Sequence, residues 1–110
     1  MSIADPRTPD PAPIFAALGD RTRLALLMRL SDGGMRSIRA LSADISLTRQ
    51  AVTKHLRVLE QAGLVDNVRE GRESRFACRP EGLGAARAYL DEVAAQWDDT
   101  LSRLKAFVEM

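Results

Sequence analysis

This sequence is poor in cysteine, histidine and aromatic residues, and each shortage excludes a class of protein. The single cysteine, Cys78, excludes an intramolecular disulfide framework and fits a reducing compartment. One cysteine and one histidine are too few for a soft-metal site, which needs several such ligands. Aromatic residues make up only 5% of the chain, so its core must be built mainly from Leu, Val, Ile and Ala.

Longer patterns are missing as well. No apolar run approaches the roughly 18 to 20 residues of a membrane span, and the N-terminus has no apolar segment typical of a signal peptide. There is no Ser/His/Asp or Cys/His arrangement and no glycine-rich phosphate loop. We therefore expect a cytoplasmic protein of one globular domain, without enzymatic activity, cofactor, metal or membrane contact.

The net charge of +1 conceals an uneven distribution. Residues 34–79 hold nine basic against five acidic side chains, whereas residues 80–110 hold three against six. This asymmetry favours a middle segment that binds a polyanion and a C-terminal segment that faces something else.

The first third of the chain predicts an arm and two helices. Residues 1–12 are proline-rich and predict a flexible arm, and residues 13–110 form the domain. A first helix runs from Pro13 to Leu18 and stops at Gly19. Asp20 can cap a second helix that ends at Gly33-Gly34. Its expected buried residues are Leu24, Leu27, Met28 and Leu30.

The middle of the chain predicts a short helix, a longer helix and a hairpin. Ser37 can cap the short helix, whose apolar residues are Ile38, Leu41 and Ile45. Thr48 can cap a fourth helix that ends at Gly63, with Val52, Leu56 and Leu59 on one side. Strands follow over residues 64–69 and 73–79, joined by a turn at residues 70–72. Pro80 then breaks the strand, and a final helix spans about residues 81–108.

This order of elements, α-α-α-α-β-β-α, is mainly α with a small β-hairpin wing, the plan of a winged helix-turn-helix. The fourth helix has the two faces that a recognition helix needs, because one side anchors it and the other offers hydrogen-bond donors. The hairpin places arginines around its tip, where a wing meets phosphates or the minor groove. The predicted DNA-binding residues are Thr48, Arg49, Gln50, Thr53, Lys54, Arg57, Arg69, Arg72 and Arg75. A solvated helix face and a charged, aggregation-resistant hairpin edge are the simpler alternatives.

The last helix carries an apolar seam at spacings of three and four residues, longer than one compact core requires. We expect a second copy of the chain to cover it, although folding onto its own domain is the alternative. The expected dimer residues are Ile14, Phe15 and Leu18 of the first helix and Leu90, Val93, Trp97, Leu101, Leu104 and Val108 of the last.

Three stretches within residues 16–79 resemble the ArsR/SmtB family of bacterial winged-helix repressors. They are Ala17-Leu-Gly-Asp-Arg-Thr-Arg-Leu24, residues 47–65 (LTRQAVTKHLRVLEQAGLV) and Arg69-Glu-Gly-Arg72. Residues 96–108 resemble the last helix of a branch of that family that does not sense metals. The resemblance implies a homodimer, joined through its first and last helices, that represses its operon and releases DNA on a signal.

The chain departs from the metal-sensing members of that family. Their Cys-x-Cys motif would fall at Ser37 and Arg39, and the carboxylates of the last helix have no histidine nearby. His55 is expected to make a structural hydrogen bond rather than to contact DNA or sense pH. Cys78 is expected to be a small core residue rather than a redox switch.

These residues together predict a repressor that binds an operator in double-stranded DNA as a homodimer and regulates its own gene. A dimeric protein-interaction module of the same fold is the alternative. A small-molecule inducer is compatible with either, but no residue identifies one.

Overall fold

The computed structural model describes residues 10–109 and confirms the predicted fold class. Its helices and strands are α1 (Ala12–Leu18), α2 (Arg21–Leu30), β1 (Arg36–Ser37), α3 (Ile38–Ser42), α4 (Arg49–Gln61), β2 (Val65–Glu70), β3 (Glu73–Cys78) and α5 (Gly84–Val108), with a 3₁₀ turn at Pro80–Leu83. Residues 1–9 of the predicted arm lie outside the described residues.

The strand β1 was not predicted, because two residues are too few to show an alternating pattern. It pairs antiparallel with β3, so that Arg36 lies opposite Phe76 and Ser37 opposite Arg75. The sheet order is β1-β3-β2, which makes β3 the central strand. The start of α3 is thereby held beside the middle of β3.

Several predicted helix limits are wrong by a few residues. The helix α2 ends at Leu30, before the two glycines, where the Ser31 hydroxyl donates to the Met28 carbonyl at 2.6 Å. The helix α3 ends at Ser42, so Ile45 follows it but still packs partly against the core. A 3₁₀ turn occupies residues 80–83, and α5 therefore begins at Gly84.

The core lies between the first four helices and the inner face of the sheet. Its buried members are Ile14, Ala17, Leu26, Leu30, Leu41, Val52, Leu56, Leu59, Leu64, Val65, Phe76 and Ala86. The expected inner face of α2 is partly wrong, since Leu24 and Met28 are 49% and 73% exposed whereas Leu26 and Leu30 are buried. Residues 24 and 26 are about 200° apart around the helix, so both cannot face the core.

A close backbone contact fixes the junction between α4 and α5. The helix α4 ends in a Schellman motif, in which Leu64 N–H donates to the Leu59 carbonyl and Gly63 N–H to that of Glu60, each at 2.9 Å. Gly63 has a φ of +77°, a conformation that favours glycine. Gly82 lies against the carbonyl group of Gly63 so closely that no side chain fits between them.

A second set of contacts, around Arg23, ties α1 and α2 to α4. Arg23 Nε donates to the Ala17 carbonyl at 2.5 Å, and its Nη1 donates to His55 Nδ1 at 3.2 Å. Because a guanidinium can only donate, Nδ1 is the acceptor in this hydrogen bond. Arg23 N–H also donates to Asp20 Oδ1 at 3.0 Å, which caps α2 and holds the pKa of that carboxyl below its ordinary value.

The structure therefore contains the structural hydrogen bond expected for His55. It also shows why the stretch from Ala17 to Leu24 has its particular residues. A buried alanine, a helix stop, a helix cap and an arginine that bridges to other helices follow in order. Together these contacts set the position of α4 relative to the first two helices.

We expect the substitution Gly82→Ala to lower the free energy of unfolding by about 1–3 kcal/mol, because its Cβ would collide with the Gly63 carbonyl. The matched control is Gly84→Ala, where an added Cβ meets nothing within 4 Å. That helical position should gain up to about 1 kcal/mol from the change. Urea denaturation measures both values, and equal stability of the two variants would contradict the close contact.

We expect Arg23→Met to lower the free energy of unfolding by about 1–3 kcal/mol, because it removes hydrogen bonds from a charged donor to two other helices. Arg21→Met is the control, since Arg21 is an exposed residue of the same helix. Chemical denaturation of both variants tests this expectation. A similar loss in the two would mean that helix propensity, rather than the contacts of Arg23, determines the effect.

Candidate nucleic-acid interface

The helix α4 divides into a buried and an exposed face, as its sequence predicted. Val52, Leu56 and Leu59 are fully buried and fix the rotation of the helix about its axis. Four of the predicted DNA-binding residues are exposed on the opposite face: Arg49, Gln50, Lys54 and Arg57. The exposed face of α4 therefore offers three cationic side chains and one amide.

An open groove of about 720 Å³ runs between this face of α4, the start of α3 and the tip of the hairpin. It brings together most of the residues that the sequence singled out from two separate elements. The groove is lined by Ser37, Ile38, Arg39, Arg49, Gln50, Thr53, Lys54, Arg57, Glu70, Arg72, Glu73 and Ser74. Five of these side chains are cationic and two are anionic, so the groove carries an excess of positive charge.

The two threonines of this region have local roles in the helix. The Thr48 hydroxyl caps α4 by accepting from Ala51 N–H at 3.1 Å, as predicted, and within residues 10–109 it donates its own proton to no other group. Thr53 Oγ1 donates to the Arg49 carbonyl at 2.7 Å. Thr53 can therefore only accept from a further partner while this hydrogen bond is present.

The three wing arginines occupy different environments. Arg72 lines the groove beside α4. Arg69 Nε donates to the Gly71 carbonyl at 3.4 Å and so braces the turn, where Gly71 has a φ of +61°. Arg75 lies within ion-pair distance of Glu70 and Glu73, at 3.9 and 3.6 Å. All three were predicted at the wing tip, but the ion pairs of Arg75 with two carboxylates were not predicted.

Ser37 and Arg39 were not among the site residues predicted from the sequence. The Ser37 side chain caps α3 by accepting from Ala40 N–H at 3.1 Å, and Arg39 is exposed in the first turn of that helix. Both reach the groove because β1 pairs with β3 and holds the start of α3 beside the hairpin. A basic residue two positions after a predicted cap was the only available signal for Arg39.

A second candidate interface lies on α5. Beyond its first turns this helix extends away from the core, and residues 94–109 are all exposed. Among the expected dimer residues, Leu90, Trp97, Leu101, Leu104 and Val108 are between 54% and 73% exposed, and Val93 is half-buried. This set of six is called the α5 seam below.

The helix α1 lies beside the start of α5. Ile14 is buried within its own chain, whereas Phe15 and Leu18 are only partly buried. The rings of Phe15 and Tyr89 meet edge to face, with their centroids 5.7 Å apart. The single chain thus uses Ile14 in its own core and leaves the α5 seam exposed except at Val93.

The part of the chain from residue 10 to residue 109 holds no group of three or more His, Cys, Asp or Glu side chains suited to a metal ion. In that same range, every helix is too short or too polar to cross a membrane. Cys78 is half-buried and packs against the core.

Comparisons with known proteins agree with this architecture. Residues 18–68 match a family profile described as a helix-turn-helix domain. The HTH-type transcriptional regulator Rv2034 of Mycobacterium tuberculosis is 39% identical over 77% of this chain and 77% of its own length.

Two solved structures have the same fold. An ArsR-like transcriptional regulator from Rhodococcus sp. RHA1 aligns with a TM-score of 0.73 and 36% identity, over 87% of this chain and 90% of the other. The homodimeric winged helix-turn-helix DNA-binding domain Mb0332 of Mycobacterium bovis, a possible ArsR-family regulator, aligns with a TM-score of 0.59 and 28% identity over 77% of each chain. Because sequence and fold agree over more than three quarters of its length, this chain belongs to the ArsR family of helix-turn-helix transcriptional regulators.

Proposed function

We propose that this protein is a homodimeric repressor that binds a two-fold-related operator in double-stranded DNA and regulates its own gene. The observation that carries the proposal is the groove in which the exposed face of α4, the start of α3 and the wing tip come together. We propose further that the protein acts in the cytoplasm and has no catalytic activity.

The dimensions and chemistry of α4 support its role as the reading helix. A B-DNA major groove is about 12 Å wide and accepts one helix, whose N-terminal residues reach the bases. Arg49 and Gln50 lie in the first turn of α4, and Lys54 lies one turn later. Arginine pairs with guanine and glutamine with adenine in a bidentate manner, so these side chains can distinguish base pairs.

Other residues of the groove suit contacts with the DNA backbone. Arg57 lies farther along α4, Arg39 lies at the start of α3, and Arg72 lies at the wing tip. Thr48 keeps a hydroxyl proton that can be donated to a phosphate. Arg69 lies on the wing beside this set and is expected to approach the backbone or the minor groove.

The α5 seam supports dimerisation. Leu90, Trp97, Leu101, Leu104 and Val108 follow spacings of seven, four, three and four residues, which is the pattern of a helix that packs against another helix. An exposed apolar seam of this length is a marker of an interface. In a two-fold dimer joined through the α5 seam, two copies of α4 can meet half-sites one helical turn, about 34 Å, apart.

We expect Arg49→Ala and Lys54→Ala each to weaken operator binding by about fivefold to a hundredfold, the range given by loss of one base contact. Fluorescence anisotropy against duplexes tiled across the DNA upstream of the gene measures this, at two salt concentrations and with unrelated competitor DNA. Arg103→Ala is the control, because it removes the same charge from exposed α5, far from the groove.

Unchanged binding by both α4 variants would show that another element reads the operator. If the wild-type protein bound no duplex even at low salt, the repressor proposal would be wrong. A protein-interaction module of the same fold would then be the better interpretation.

We expect Trp97→Ala to raise the dimer dissociation constant by about tenfold or more, because the two-fold axis removes the indole from both copies at once. Sedimentation velocity over a range of concentrations gives the monomer fraction. Arg103→Ala again serves as the control, since Arg103 is exposed and lies about 120° around α5 from Trp97, outside the seam. A Trp97→Ala protein that remains as dimeric as wild type would remove the α5 seam from the interface.

A further inference from the structure

The wing carries two glutamates that face each other next to its turn. Glu70 is the last residue of β2 and Glu73 the first of β3, and the sheet register pairs them directly. Residues directly opposite each other in an antiparallel pair share one face of the sheet, where like charges repel. Two carboxylates therefore lie beside the segment that is proposed to approach the negatively charged DNA backbone.

Arg75 lies on the same face of the hairpin, two residues along β3 from Glu73. Its Nη2 is 3.6 Å from Glu73 Oε2, and its Nε is 3.9 Å from Glu70 Oε2. The Arg75 side chain is 43% exposed, less than either glutamate. One guanidinium thus lies within ion-pair distance of both carboxylates.

The other two wing arginines are placed differently. Arg72 lines the groove, and no ion pair to it forms within residues 10–109. Arg69 lies opposite Ser74, on the other face of the hairpin, and contacts only the turn carbonyl among its described partners. Arg75 does not line the groove, whereas Glu70 and Glu73 do. The charge of Arg75 is therefore directed to the glutamates rather than to the groove.

We propose that Arg75 is the internal counter-ion of the wing and acts as a positioning residue rather than as a phosphate contact. It neutralises Glu70 and Glu73 so that the wing tip can approach DNA, and Arg69 and Arg72 supply the charge that binds. This inference rests on the proposed DNA binding and specifies how its wing operates.

The electrostatics give the inference a measurable signature. At 0.1 M salt the screening length between exposed charges is about 10 Å. Uncompensated carboxylates at the wing tip would therefore repel phosphates within about that distance. A direct phosphate contact also releases counter-ions, and its loss reduces the slope of log affinity against log salt by about one. An internal counter-ion affects binding only while its glutamates are charged. The two roles therefore differ when the glutamates are removed.

The test is a double-mutant cycle measured by fluorescence anisotropy against a labelled duplex of mixed sequence, about 30 base pairs long. Arg75→Gln is made in the wild-type chain and in a Glu70→Gln/Glu73→Gln background. Arg72→Gln, made in the same two backgrounds, is the matched control for a phosphate contact. Thermal melting of every variant checks that the fold is intact.

We expect Arg75→Gln to weaken binding about threefold to tenfold at low salt in the wild-type chain. In the background without the two glutamates, it should weaken binding by less than about twofold and leave the salt slope unchanged. Arg72→Gln should weaken binding by the same factor in both backgrounds.

Equal losses for Arg75→Gln in the two backgrounds, with a smaller salt slope in each, would show a direct phosphate contact and overturn the inference. No loss in either background would overturn it as well. If the wild-type protein bound no duplex at low salt, DNA binding itself would fail and this inference with it. That result is distinct because it appears before any substitution is made.

Discussion

Val52, Leu56 and Leu59 project from one side of α4 into the core, and the arrangement of the other groove residues follows from that burial. Each buried aliphatic side chain contributes about 1.5–3 kcal/mol relative to an exposed one. A rotation of α4 by one residue, about 100°, would expose these side chains and move cationic ones toward the core. The cost of such a rotation is comparable with the stability of a small domain, so the exposed face of α4 has one orientation.

The groove combines requirements that conflict. Binding to a polyanion favours a surface of positive charge. The tight hairpin, however, holds acidic and basic side chains within a few ångströms of each other. Residues 69–73 of the wing alone contain four charged side chains, two basic and two acidic. The hydrogen bonds of Thr48, Ser37 and Arg69 to nearby backbone show how local contacts hold these side chains in place. Such hydrogen bonds help to determine where the positive charge is presented.

Much of this architecture could be predicted from the sequence, because helices and hairpins are specified locally. The three helix caps at Asp20, Ser37 and Thr48 and the apolar spacing within α4 needed only residues a few positions apart. Contacts between distant segments could not be predicted in the same way. The pairing of β1 with β3 joins residues 36 and 76, and it brings Arg39 into the groove.

The inner face of α2 could not be predicted from the sequence either. Leucine and methionine occupy nearly every position from Leu24 to Leu30, so the apolar pattern does not identify one face. Only packing against the other helices selects Leu26 and Leu30 for the core. The ion pairs of Arg75 were equally hidden, because a run of alternating charges is typical of any exposed hairpin.

The contact between Gly63 and Gly82 has a mechanical consequence. It clamps the end of α4 against the segment from which α5 departs, with backbone touching backbone and no flexible side chain between them. The helix α5 has 25 residues and is therefore about 37 Å long, so a tilt of ten degrees at its base would displace its far end by about 6 Å. The close contact of the two glycines therefore fixes the direction of α5 relative to α4, and a small change at this contact would be enlarged at the far end of α5.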